Sequence, residues 1–162
     1  MGWQMHRSIV AVAALALFVL GGTARAEDRH AGYYYPEPQT TEVFHSRAQT
    51  LPEANRGLRV GFVTGTTQQQ FDRPYPPQVA VFAKGERAEK LIIVALVDGR
   101  VDTLYRARAI FANMTAAARQ LPAFAQMGVQ DTFTFFDLAK LLGFKQITIS
   151  DGRAFAHQVM IE

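Results

Sequence analysis

The chain has 162 residues, enough for one domain and hardly for two. It has no cysteine, which excludes disulfides, thiol catalysis and thiolate metal sites. The formal net charge of +3 is small, and no run of basic residues marks a nucleic-acid surface.

The first 26 residues read as a secretory signal peptide. His6 and Arg7 lie in a short n-region, Ile9 to Leu20 is unbroken apolar sequence, and Ala24-Arg25-Ala26 is a cleavage site of A-x-A type. The apolar run is shorter than the roughly 20 residues that a membrane-spanning helix needs. No stable membrane anchor is expected once the signal is cut. Cleavage removes Arg7 and Arg25, so Lys plus Arg falls from 17 to 15 against 14 acidic residues, and the mature chain carries +1. The expected location is the periplasm or the outside of the cell.

Residues 27–39 read as an extended arm. Tyr33-Tyr34-Tyr35-Pro36-Glu37-Pro38 joins three aromatic rings to two prolines, which favour extended backbone. The tyrosines either fold back to cover the domain or serve as a docking element for a protein partner, with Tyr33, Tyr34 and Tyr35 as the candidate contacts.

The domain proper is expected over 40–162. Thr40 to Thr50 has strand composition, and Leu51 to Arg56 has room for one helical turn, ended by Gly57. Leu58, Val60, Phe62 and Thr64 alternate with Arg59, Gly61 and Val63, the pattern of a half-buried strand. A short helix is predicted over 66–72. Gln78 to Ala83 and Leu91 to Val97 are predicted to pair as an antiparallel hairpin.

Leu104, Ala107, Phe111, Met114, Ala118 and Leu121 recur at steps of three and four and define a helix, with Asp102 placed to cap it. A short apolar segment follows Pro122 and ends at Gly128. Asp131 or Thr132 is placed to open another helix, with Phe135, Leu138, Leu141 and Leu142 on one face and Gly143 at its C-terminal cap. Lys145 to Ser150 and Ala154 to Ile161 are predicted to form a closing hairpin around Asp151-Gly152-Arg153. The fold class expected is α+β: one domain, a mostly antiparallel sheet of about five strands, and two or three helices on one face.

Few residues stand at a spacing that carries chemistry. Thr64, Gly65, Thr66 and Thr67, read as a loop between strand and helix, form a candidate anion site, since helix N-terminal N–H groups hold anions. The loop matches neither the phosphate-loop nor the dinucleotide-binding spacing. His30, His45 and His157 are the histidines beyond the signal. None has a partner at ligand spacing, so no metal site and no cofactor is expected. His157 lies in the last strand and faces either core or solvent. Ser46 and Ser150 lack the nucleophile-elbow motif. Asp98, Asp102, Asp131, Asp137 and Asp151 fall at turns and caps, where Asp is favoured for backbone reasons. Arg106 and Arg108, two apart on the long helix, point in different directions. The tripeptide Asp-Gly-Arg occurs at Asp98 and again at Asp151, each as a turn.

Most of the chain after the signal, including AGYYYPEPQTTEVF from Ala31, VGFVTG from Val60, FAKGERAEKLIIVAL from Phe82 and FDLAKLLGFKQITISDG from Phe136, resembles a family of small exported bacterial proteins of unestablished role. Members of that family carry the label "molybdopterin-guanine dinucleotide biosynthesis protein A". The resemblance implies either an exported protein outside that pathway or a function in it, guanylyltransferase-like or accessory. The enzyme of that name transfers GMP from GTP onto molybdopterin with magnesium, using an N-terminal motif of the form L-A-G-G-x-S-x-R-M-G-x-D-K. That motif is absent here, so no catalytic residue is carried over. The expected function is therefore a non-catalytic binding or accessory protein, with a periplasmic protein as partner and no nucleic acid.

Overall fold

The structure is a computed structural model that describes residues 35–162. The expected signal peptide, the arm up to Tyr34 and His30 lie outside the described residues. Those described fall in one unit, Gly32–Glu162, built as an α+β domain.

Five strands form one sheet: β1 (Thr40–Phe44), β2 (Val79–Lys84), β3 (Lys90–Ala95), β4 (Gln146–Ser150) and β5 (Ala156–Ile161). Their order across the sheet is β1-β5-β4-β3-β2. The two predicted hairpins are present, β2 with β3 and β4 with β5, both antiparallel. The sheet is nonetheless mixed, because β1 runs parallel to β5 and β3 parallel to β4. That corrects the mostly antiparallel expectation. Local turn chemistry specifies hairpins, whereas the parallel pairs join strands distant in sequence and are set by which faces must be buried.

Four helices complete the domain: α1 (Arg56–Phe71), α2 (Leu104–Arg119), α3 (Pro122–Met127) and α4 (Phe135–Leu141). The strand expected at Leu58 is the first half of α1. Its alternating pattern also contains Leu58, Phe62 and Val63, which sit on one helical face and pack on the core. Asn55 caps that helix by accepting the Leu58 N–H at 3.0 Å. Gly57, expected to end a turn, therefore lies in the first turn of α1.

The helix read from Leu104 is present, capped by Thr103 rather than Asp102. Helix α4 opens at Thr134, later than expected, through a reciprocal capping box with Asp137. Gly128 and Gly143 follow α3 and α4 in the left-handed conformation, at φ +67° and +82°.

The core forms where one face of the sheet meets α1, α2 and α4. Val81, Leu91, Ile93, Ile147, Ile149, Val159 and Ile161 alternate along their strands and bury on that face. They meet Ala107, Ile110 and Phe111 of α2, and Phe135 and Ala139 of α4. A smaller cluster joins α3 to the rest through Phe124, which is fully buried with Ala48, Ala118 and Leu141.

The arm leads into β1 along the start of β5. The Gln39 backbone N–H donates to the Ala156 carbonyl at 3.0 Å. Further back, the Lys84 ammonium lies 5.3 Å from the centre of the Tyr35 ring. Since β2 and β1 are opposite edges of the sheet, this segment crosses the sheet rather than standing away from it. Burial, helped by Glu37, raises the Tyr35 pKa.

Candidate functional site: a groove over a buried histidine

The site begins in β1 and β5. Thr40 pairs with His157, and Phe44 with Ile161. In parallel register, Thr40, Glu42 and Phe44 share the sheet face of His157, Val159 and Ile161, the face covered by helices. The orientation of His157 is thus fixed toward the core, and the residue is fully buried.

Its two nitrogens are treated differently. Nδ1 lies 2.8 Å from Thr40 Oγ1, while Nε2 is buried without a hydrogen-bond partner. The nearest carboxylate oxygen, Glu42 Oε2, is 3.8 Å from Nε2, beyond hydrogen-bond distance. Burial lowers the pKa of His157, and Arg108 adds to that, whereas Glu42 and Thr40 act the other way. The imidazole is therefore neutral near neutral pH.

Glu42 is engaged elsewhere: it accepts from the Arg108 guanidinium of α2. Beside this ion pair opens a groove of about 270 Å³, lined by Glu42, Phe44, Arg108, Phe111, Thr115 and Phe136, among others. Its aromatic lining is continuous. The ring centres of Phe44 and Phe136 are 4.8 Å apart, and those of Phe136 and Phe111 are 5.0 Å apart. Phe111 in turn lies 6.3 Å from the His157 ring. The groove thus combines an apolar body with one cation and one anion, the mixture found in small-molecule sites, and His157 lies buried behind its lining, next to Phe111 and Glu42.

The residues singled out from sequence lie elsewhere. Thr64, Gly65, Thr66 and Thr67 sit in the interior of α1, so the expected loop is corrected to helix. They hold no helix N-terminus, and Thr64 Oγ1 donates back to the carbonyls of Val60 and Gly61, both at 3.1 Å. Tyr35 lies against Lys84, while Tyr33 and Tyr34 are outside the described residues. His45 is exposed and 3.5 Å from Glu162.

Other polar candidates are engaged by side chains or backbone elsewhere in the domain. Ser46 donates to Asp137 at 2.7 Å. Ser150 Oγ donates to the Phe155 carbonyl at 2.7 Å and accepts from Gly152 N–H. The Asp151 carboxylate accepts three N–H groups, from Arg153, Ala154 and Phe155, each at 2.9 Å. Arg106 turns to Asp102 while Arg108 turns to Glu42, so the two diverge as expected. The two Asp-Gly-Arg turns meet at the surface, where Arg153 pairs with Asp98 at 3.1 Å.

Glu42, Phe44, Arg108, Phe111, Thr115 and Phe136 were not identified from sequence as one site. Strand β1 reaches α2 only through the parallel pairing with β5, a contact that separates Glu42 from Arg108 by 66 positions. A partial signal was present: His157, Val159 and Ile161 alternate with Ala156, Gln158 and Met160, and the more apolar set carries the histidine inward.

Among the described residues, no three His, Asp or Glu side chains are grouped to hold a metal ion. No helix among them is long and apolar enough to cross a membrane. Comparison with known proteins gives no relative to place beside this geometry: no family model matches the chain, and no curated protein or solved structure is significantly similar to it.

Proposed function

We propose that this is an exported, non-catalytic binding protein whose ligand is a small molecule with an apolar body, seated in the groove between β1, α2 and α4. One observation carries the reading: a continuous Phe44–Phe136–Phe111 surface ends at a paired Arg108 and Glu42, above a buried His157 nitrogen that has no partner. Buried polar groups are normally satisfied, so an unsatisfied one calls for a physical explanation, a functional role among them. Export is supported by the apolar run from Ile9 to Leu20 and the Ala24-Arg25-Ala26 ending.

The groove is tested by calorimetry on the purified mature protein with 3-phenylpropionate and 3-phenylpropanol. Both probes carry an aryl-alkyl body, and only the first carries an anion. Saturable binding of either, weakened at least tenfold by Phe111→Ala, supports the reading. No saturable heat with either probe overturns it. Export is tested separately: the intact mass of protein recovered from a periplasmic fraction should correspond to a chain beginning at Glu27, and a full-length mass in the cytoplasm contradicts it.

A further inference from the structure

The Glu42–Arg108 pair closes the polar end of the groove, so a ligand must reckon with it. We propose that the groove selects an aryl-alkyl carboxylate by exchange: the ligand carboxylate replaces Glu42 on the Arg108 guanidinium, and the displaced Glu42 carboxylate turns onto His157 Nε2. This rests on the groove being the ligand site.

Three features of the geometry support it. Arg108 and Glu42 are side chains on different elements, held together by an ion pair that is partly exposed, at 60% and 40%. Such pairs are weak, and a second carboxylate with an apolar body to bury competes readily for the guanidinium. The alternative partner for Glu42 is already in place, because His157 Nε2 lies 3.8 Å from Oε2 and is otherwise unpaired. A small side-chain rotation converts that approach into a hydrogen bond. The apolar body of the ligand meets Phe44, Phe111 and Phe136, the contact that a short inorganic anion cannot make.

Charge balance adds a consequence. The groove carries one cation, Arg108, and one anion, Glu42. A bound carboxylate adds a negative charge in a partly desolvated site, and a proton on His157 restores neutrality. The groups facing the imidazole are Thr40 and Glu42 of β1, Arg108 and Phe111 of α2, and Ile149 of β4. Only Glu42 and Arg108 among them carry charge. Once Arg108 is neutralised by the ligand and Glu42 faces the ring, both changes favour the imidazolium. Each nitrogen then donates, Nδ1 to Thr40 Oγ1 and Nε2 to Glu42.

The test is calorimetric titration of the wild-type protein with 3-phenylpropionate at pH 7.5 in phosphate and in Tris, two buffers of very different ionisation heat. The difference in observed heat should correspond to uptake of about one proton per ligand, and affinity should rise up to about tenfold per pH unit on acidification. Glu42→Gln leaves Arg108 without a competitor. It should bind 3-phenylpropionate more tightly than wild type at pH 7.5, with little proton uptake. Binding of 3-phenylpropionate with no buffer dependence, or with Glu42→Gln no tighter than wild type, overturns the exchange while leaving the groove as the ligand site. Absence of binding by both probes to both proteins overturns the groove reading itself.

Discussion

The Arg59 guanidinium lies inside the protein and donates to the Leu142 carbonyl at 3.2 Å, tying the first turn of α1 to the end of α4. It also bonds the Gly143 carbonyl at 3.4 Å and the Arg87 carbonyl in the β2–β3 turn, through Nε at 3.1 Å and Nη2 at 2.8 Å. No carboxylate hydrogen-bonds it among the described residues. The carbonyls stand in, and those at the end of α4 carry the negative end of the helix dipole. One side chain thereby joins three segments remote in sequence.

Removing Arg59 leaves those carbonyls without their donor. Arg59→Ala is expected to destabilise by about 3 kcal/mol. Arg59→Lys should recover only a small part, because an ammonium cannot span the same carbonyls as a planar fork. Urea unfolding of the two variants checks this. Equal stability of Lys and wild type would remove the multidentate role.

Gly143 is fixed by the same contact. It takes φ +82°, and a Cβ there would come within 2.7 Å of Arg59 Nη1. Gly143→Ala should therefore cost more than the roughly 1–2 kcal/mol of a left-handed alanine alone. Gly128, also left-handed but with open space around the added carbon, gives the control: its alanine variant should lose about that backbone cost only, in thermal or urea unfolding.

Asp137 makes stability acid-sensitive. Burial raises its pKa, but hydrogen bonds from Ser46 Oγ, the Thr134 N–H and hydroxyl, and the Arg47 N–H outweigh that and leave it lowered. A lowered folded pKa means the contribution is complete above the unfolded value near 3.9 and lost as pH falls through the folded one. Asp151, lowered in spite of burial by its own backbone donors, acts in the same direction. Asp137→Asn should lose about 2 kcal/mol at pH 7 and flatten the acid limb of a stability–pH curve below pH 4. An unchanged acid limb would exclude Asp137 as its source.

The arm makes a further prediction. Because Lys84 sits over the Tyr35 ring, residues 35–38 are expected to contribute to stability by covering the sheet. Deleting residues 31–38, while keeping Gln39 on the Ala156 backbone, should lower the melting temperature. A deletion that leaves melting unchanged but abolishes capture of a periplasmic partner would instead assign Tyr33, Tyr34 and Tyr35 to docking.

Much of the fold was legible because local rules specify it. The α2 stripe, both hairpins and the Asp-Gly turns follow from spacing and turn chemistry. The first half of α1 reads as strand because Leu58, Val60, Phe62 and Thr64 satisfy a period of two, while Leu58, Phe62 and Val63 satisfy a helical face as well; the helix predicted over 66–72 falls in its second half. The Asn55 cap acts locally, on the Leu58 N–H, whereas Arg59 acts through contacts with Leu142 and Arg87 that local pattern cannot reveal. The groove was invisible for the same reason. Glu42, Arg108 and His157 are far apart in the chain, and only the parallel β1–β5 pairing under α2 brings them together.

The central claim is tested most directly by following backbone amide and Arg108 side-chain NMR signals as 3-phenylpropionate is added to the mature protein. The account predicts saturable shifts concentrated at Glu42, Phe44, Arg108, Phe111, Thr115 and Phe136, accompanied by a change at the His157 ring. Shifts scattered over the surface, or confined to residues outside the groove, would contradict it.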